Sequence, residues 1–307
     1  MLGSRRRTID DTYAEMLAEL PTELRAEGRD LPHRLGLAGP LGSWEDFILM
    51  APNRDLPRYA AEDPRRPGQQ LLAEDAVDSY LRAHHYAGIF GLIADRLADG
   101  QVPRSRGLVR LRDRALESWT LTLSVATGSP HRARALVASA LRSLRWGNAQ
   151  ERLALARAKK HGSGTLSTSK YVALTCAKLR WFGTGAHAML LTLGDRRRAQ
   201  ALQLAYDLFS VSLQLIDDAI DDEPDRIQRG MSFPDALGAP PGALLATAPK
   251  LAGSAARIAL RAGFRDLGQW LSHFTRTIDG WAIPGDPLKN AFGAHKLLGA
   301  MEELLDG

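Results

Sequence analysis

The sequence predicts an all-α fold, and three observations lead there. Leu and Ala dominate the 307 residues, a composition biased toward helix. From residue 69 onward apolar residues recur at three- and four-residue spacing over long segments, the period of an amphipathic helix. No alternation of β-branched residues runs long enough to make a sheet. Hydrophobic residues make up 45% of the chain, enough for one sizeable core.

Taken in order, 11–28 reads as a polar-edged helix, and 29–42, with its Gly and Pro, as loop. A short helical piece covers 44–50. The Pro-, Arg- and Asp-rich stretch 52–68 reads as an irregular connector. Residues 69–99 form one long helix or two, stopped by Gly100 and Pro103. Helices follow over 107–127, ended by Gly128 and Pro130, and over 131–158. Residues 161–169 are a turn closing in helix-start residues. Residues 170–193 are apolar on most sides, as in one central buried helix. The next helix spans 197–222, where Pro224 stops or kinks it, and a loop runs to about 240. Helices over 242–264, over 265–280 and up to about 305 complete the chain. The expected organisation is an N-terminal helical and irregular extension, 1–68, followed by one all-α domain, 69–307.

Several function classes are set aside by composition. Net charge is +5, from 40 basic and 35 acidic residues, which fits a basic surface or a phosphate-bearing partner. There is no zinc-finger spacing or RRM-like aromatic pair, so nucleic acid is not expected as a partner. The single cysteine, Cys176, excludes a disulfide framework and reads as a small packing residue in a reducing compartment. The N-terminus has no apolar signal region and no run is long enough to span a bilayer, so a cytoplasmic protein without a membrane span is expected.

Chemistry concentrates at QLIDDAIDDEPDR, residues 214–226. Asp217, Asp218, Asp221, Asp222, Glu223 and Asp225 fall within nine positions, directly after the apolar run LFSVSLQLI. On a helix, residues 217, 221 and 225 share a face, and 218 and 222 form a neighbouring stripe. Carboxylates this close raise one another's pKa and call for positive compensation. Magnesium supplies it, since it takes oxygen ligands and bridges carboxylates to substrate phosphates. A solvated acidic helix end is the plainer reading, but acid at a helix C-terminus opposes the dipole. EF-hand spacing fails, for want of the glycine at position six and the glutamate at twelve.

Here the sequence resembles the trans-isoprenyl diphosphate synthases and the class I terpene synthases, which share the all-α isoprenoid synthase fold. The family's second aspartate-rich motif reads roughly FQ-x-x-DD-x-x-D. This chain has Leu213-Gln214-Leu215-Ile216-Asp217-Asp218-Ala219-Ile220-Asp221, lacking only the phenylalanine. A family lysine stands seven residues after a tyrosine, as Lys178 does after Tyr171, although Leu179 replaces the usual threonine. The first motif, DD-x-x-D followed by a loop and RRG, corresponds to Asp95-Arg96-Leu97-Ala98-Asp99, then Arg104-Ser105-Arg106-Gly107. Arg96 replaces the second aspartate, and Ser105 interrupts the arginine pair.

The resemblance covers about residues 70–300 and implies a single helical bundle around a central cavity, working as a homodimer. It implies Mg2+ held by Asp95, Asp99, Asp217, Asp218, Asp221 and Asp225. The diphosphate of an allylic isoprenyl substrate would be contacted by Arg96, Arg104, Arg106, Lys178 and Gln214. Ionisation leaves an allylic carbocation that needs a dry apolar cavity; Tyr80, Tyr86, Phe90, Trp181 and Phe182 are candidates to line it, or else they pack the core. The expected activity is prenyl transfer to isopentenyl diphosphate or another acceptor. The alternatives are cyclisation to a terpene, or a non-catalytic partner subunit that lost its first motif. His84, His85 and His187 read as packing residues rather than ligands.

Overall fold

The computed structural model describes residues 7–35, 43–47, 50–66 and 68–279. Among these residues the secondary structure is helical, with no strand beyond one antiparallel bridge between Glu62 and Gln70. None of the described helices is long and apolar enough to cross a membrane.

The N-terminal layer comprises α1 (Ile9–Ala18), α2 (Thr22–Arg29), α3 (Leu31–Arg34), α4 (Trp44–Phe47) and α5 (Ala51–Ala60). Two long pairs follow: α6 (Glu74–Ala98) with α7 (Arg106–Thr127), and α8 (Pro130–His161) with α9 (Thr168–Leu179). Then come α10 (Thr184–Thr192), α11 (Arg196–Ile220), α12 (Asp222–Arg229), α13 (Phe233–Leu237), α14 (Pro241–Arg261) and α15 (Arg265–Asp279). The closest-packed helices are α11 on α14, α6 on α7 and α14 on α15. Trp119, Phe209 and Phe274 are fully buried, and Phe209 meets Phe274 edge-to-face with centroids 5.5 Å apart. The final helix expected up to 305 lies outside the described residues.

The single helix expected over 11–28 is two, α1 and α2, separated at residues 19–21, and the loop expected over 29–42 contains α3. Four further local readings need correction. Residues 51–60 are helix α5, not irregular connector. Pro52 sits in its first turn, where a missing N–H costs nothing. Pro57 sits inside it and has no N–H to give to the carbonyl of Asn53, four residues back. His84 fills that gap from α6, its Nε2 donating to Asn53 O at 2.6 Å. His85 Nε2 also donates to a carbonyl of α5, Arg54 O, at 3.2 Å, with Thr12 Oγ1 3.0 Å from its other ring nitrogen. Both imidazoles are buried, which lowers their pKa and keeps them neutral. The histidine pair therefore docks α5 on α6.

Second, 170–193 is not one helix but α9 and α10, with a break at residues 180–183. The turn is closed by short backbone bonds, Phe182 N to Leu179 O and Thr184 N to Trp181 O. Gly183, a poor helix residue, ends it. Third, the helix expected to reach 222 ends at Ile220, the residue whose carbonyl Pro224 has no N–H to meet; Pro224 itself lies in the first turn of a new helix, α12. Fourth, the supposed loop to 240 contains α12 and the capped α13.

The proline–histidine exchange can be tested by a double-mutant cycle. His84→Leu leaves Asn53 O without a donor, costing about 1–3 kcal/mol. Pro57→Ala restores a helical N–H, so it should recover stability in the His84→Leu background more than in wild type, by roughly 1 kcal/mol. Denaturant midpoints measure the coupling, and additive effects would disprove the exchange.

Candidate functional site

A cavity of about 470 Å³ opens among α6, α8, α9, α11 and α12. It gathers Asp95, Arg96 and Asp99 from the end of α6, Lys178 from α9, and Gln214, Asp217, Asp218 and Asp221 from the end of α11. Asp225 joins from α12. Two residues that no sequence signal marked complete the ring: Glu151 from α8 and Arg229 from α12. Seven carboxylates thus share this cavity with three cations, Arg96, Lys178 and Arg229.

The acid block is held in two halves. Asp221 is the last capping residue of α11 and the first of α12. Asp222, Glu223 and Asp225 therefore sit in the first turn of a new helix, whose dipole favours negative charge. The dipole penalty expected for the whole block applies only to its first half. Ser232 Oγ donates to Asp222 at 2.5 Å, and Arg226 bridges Asp222 at 2.9 Å to Asp235 at 2.7 Å. Asp225 pairs with Arg229 at 3.4 Å.

In the first half, Gln214 Nε2 donates to Asp217 at 3.1 Å and Asp218 at 2.8 Å. Tyr171 OH donates to the other oxygen of Asp218 at 2.6 Å. The Tyr171 that marks the family spacing thus reaches the acid block itself. Burial raises the Asp218 pKa to about 8 despite these two donors. Burial also raises Asp217 to about 6, helped by Asp221, while Gln214 and the Arg96 charge across the cavity pull the other way. Asp99, Asp221 and Asp225 are shifted up as well, burial being the first cause in each.

Lys178 is the pivot between the helices. Its ammonium donates to Glu151 at 2.6 Å and lies 3.6 Å from Asp95. Burial opposes its charge, but Glu151, Asp95 and Asp99 outweigh that and raise its pKa, so it stays protonated. Gly147 makes the contact between α8 and α9 close enough. A Cβ there would lie 2.9 Å from Lys178 N and 3.0 Å from Leu174 O. Glu151 also lies 3.9 Å from Arg229.

Below the charged rim the lining turns apolar and aromatic. Trp181 and Phe182, stacked at 3.7 Å, line it as the sequence suggested, together with Tyr206, Phe233 and Phe274. Tyr80, Tyr86 and Phe90 are core residues away from the cavity: Tyr80 faces Thr192, Tyr86 faces Arg82, and Phe90 packs on Trp119 at 5.9 Å. Arg104 and Arg106 are exposed and line no part of the cavity. Ser105 between them caps α7 and donates to Glu27 at 2.9 Å, tying this loop to α2. His187 is half-buried on α10 and does not line the cavity. Cys176 is half-buried in a separate groove, and burial pushes its thiol up to about 12, which leaves it unreactive.

Among the described residues no three His, Cys, Asp or Glu side chains converge as a ready metal cage. The carboxylates instead ring the rim, an all-oxygen donor set that suits a hard cation whose remaining ligands come from water and phosphate. No family model matches the chain, and no curated protein matches it significantly.

The buried acid pair gives a pH signature. The pKa values of Asp217 and Asp218 are raised on folding, so the stability they lend is full below about pH 4 and is lost as pH rises through 6 and 8. Asp218→Asn removes the larger part of that titration while keeping an acceptor for Tyr171. In metal-free buffer its melting temperature relative to wild type should climb from about pH 5 to about pH 9. The difference cancels the opposing titration of His84 and His85, and a flat difference would contradict the burial of Asp218.

Proposed function

We propose that this chain is a Mg2+-dependent prenyltransferase of the isoprenoid synthase type, which ionises an allylic isoprenyl diphosphate and passes the prenyl group to an acceptor. The single observation carrying this reading is the cavity itself. Acidic ends of α6 and α11 face one volume with a buried lysine between them, above an aromatic, apolar interior. The resemblance of 213–221 to the second aspartate-rich motif supports the same reading.

The residues present fit magnesium. Asp95 and Asp99 on one side, and Asp217, Asp221 and Asp225 on the other, would hold it. When bound, it supplies Lewis-acid stabilisation of the departing diphosphate. Asp218 has both oxygens engaged by Tyr171 and Gln214, so it fixes the orientation of its neighbours. Lys178, Arg229 and Arg96 offer fixed positive charge to the diphosphate oxygens. Glu151 anchors Lys178 and keeps it protonated. Trp181, Phe182 and Phe274 exclude water from the cation and present π-faces to it.

One observation favours a second reading, a terpene cyclase. Arg104 and Arg106 lie outside the cavity, which leaves one set of cations and therefore room for one diphosphate. An acceptor, where there is one, then carries no second diphosphate, and internal capture of the cation becomes the competing outcome.

Incubation with Mg2+ and geranyl, farnesyl or geranylgeranyl diphosphate separates these readings. Diphosphate release without a co-substrate, giving a hydrocarbon or alcohol, identifies the cyclase. Release that requires an acceptor identifies transfer. Asp221→Ala should lower turnover by ~100-fold or more, and Asp217→Ala likewise. Near wild-type rates at saturating Mg2+ would disprove the metal assignment.

A further inference from the structure

The two ends of the cavity can be placed by counting along its walls. On α11, Tyr206 and Asp217 both line it and stand eleven residues apart. Eleven residues make close to three turns, so both side chains share a face, with about 16 Å of helix axis between them. On α6, His84 and Asp95 have the same separation. A second layer, His84 and Tyr206, therefore lies about three turns below the acidic layer on both long helices.

Asn53 of α5 closes this second layer. Tyr206 OH donates to its side-chain oxygen at 2.8 Å, and His84 Nε2 donates to its carbonyl at 2.6 Å. Asn53 itself faces the cavity, and the Phe182 ring stands 6.4 Å from that of His84. Asn53 is thus gripped at both its side chain and its backbone, the latter because Pro57 vacates the carbonyl. Tyr206 is 3% exposed, and its ring is fixed by Phe209 at 6.1 Å. A floor held this way yields little to an entering chain.

An isoprene repeat advances by four main-chain bonds, roughly 5 Å at bond lengths near 1.5 Å. Three repeats span about 15 Å and four about 20 Å. Only the shorter chain fits between the acidic layer and the Tyr206–Asn53 pair. Resting on the diphosphate reading above, we infer that Asn53 and Tyr206 form the floor of the prenyl channel and restrict the substrate to about three isoprene units, roughly fifteen carbons. Half of this floor, Asn53, comes from α5, a helix outside the region that resembles the isoprenoid synthases.

Calorimetric titration in Mg2+ buffer tests this, using inorganic diphosphate and the non-ionising thiolodiphosphates of geranyl, farnesyl and geranylgeranyl chains. Wild type should bind the farnesyl analogue tightest and the geranylgeranyl analogue ~10-fold more weakly or worse. Tyr206→Ala or Asn53→Ala should bring the geranylgeranyl analogue to parity or better, with the affinity for inorganic diphosphate unchanged. A merely structural role would not reorder chain lengths. Asn53 is half-buried, so its variant serves if Tyr206→Ala fails to fold, and the wild-type order is decisive by itself. Equal binding of both long analogues by wild type, or an unchanged order in a folded alanine variant, overturns the floor while the diphosphate reading stands. Failure of inorganic diphosphate and every analogue to bind overturns both.

Discussion

Seven carboxylates around a partly dry cavity, against three cations, form the constraint on which the rest of the structure depends. Left in water they would be ordinary carboxylates; drawn into the bundle they must be protonated, paired or compensated. The chain uses all three solutions. Asp217 and Asp218 move toward protonation, Glu151 and Asp95 share Lys178, and Asp225 takes Arg229. The remaining excess is negative, and under the proposed function a divalent cation and the three basic side chains together would offset it and the charge of a diphosphate.

That constraint explains features that look unrelated. Gly147 lets α8 and α9 approach closely enough for Glu151 to reach Lys178. The break after α9 carries Trp181 and Phe182, both of which line the cavity. Arg96 sets a positive charge near Asp217 and Asp221 and so offsets part of the carboxylate excess.

The features legible in the sequence were those encoded locally. Helical periodicity placed the long helices, spacing put Asp217, Asp221 and Asp225 on one face, and the resemblance added Asp95, Asp99 and Lys178 to the set that the fold brings to one cavity. What escaped depends on partners far along the chain. Glu151 gave no signal because a lone glutamate in a charged helix resembles any solvated one. The helix at 51–60 was hidden because two prolines argue against it, and the group that compensates Pro57 is His84, on α6. The stretch RSRG misled in the opposite sense: it resembles a diphosphate-binding motif, but Ser105 caps α7 and holds Glu27, and the flanking arginines are exposed.

The joint at Asp221 divides the acid block between two different supports. Asp217 and Asp218 ride on α11, whose inner face is packed through the centre of the bundle. Asp225 and Arg229 ride on α12, a short helix with Ile227 80% exposed, secured mainly by Arg226, Asp235 and Ser232. Substitutions along α12 therefore reach the cavity without passing through the core. One half of the block is tied to folding and the other is open to variation, so descendants of this chain could change the charge lining the cavity at α12 while inheriting the bundle intact.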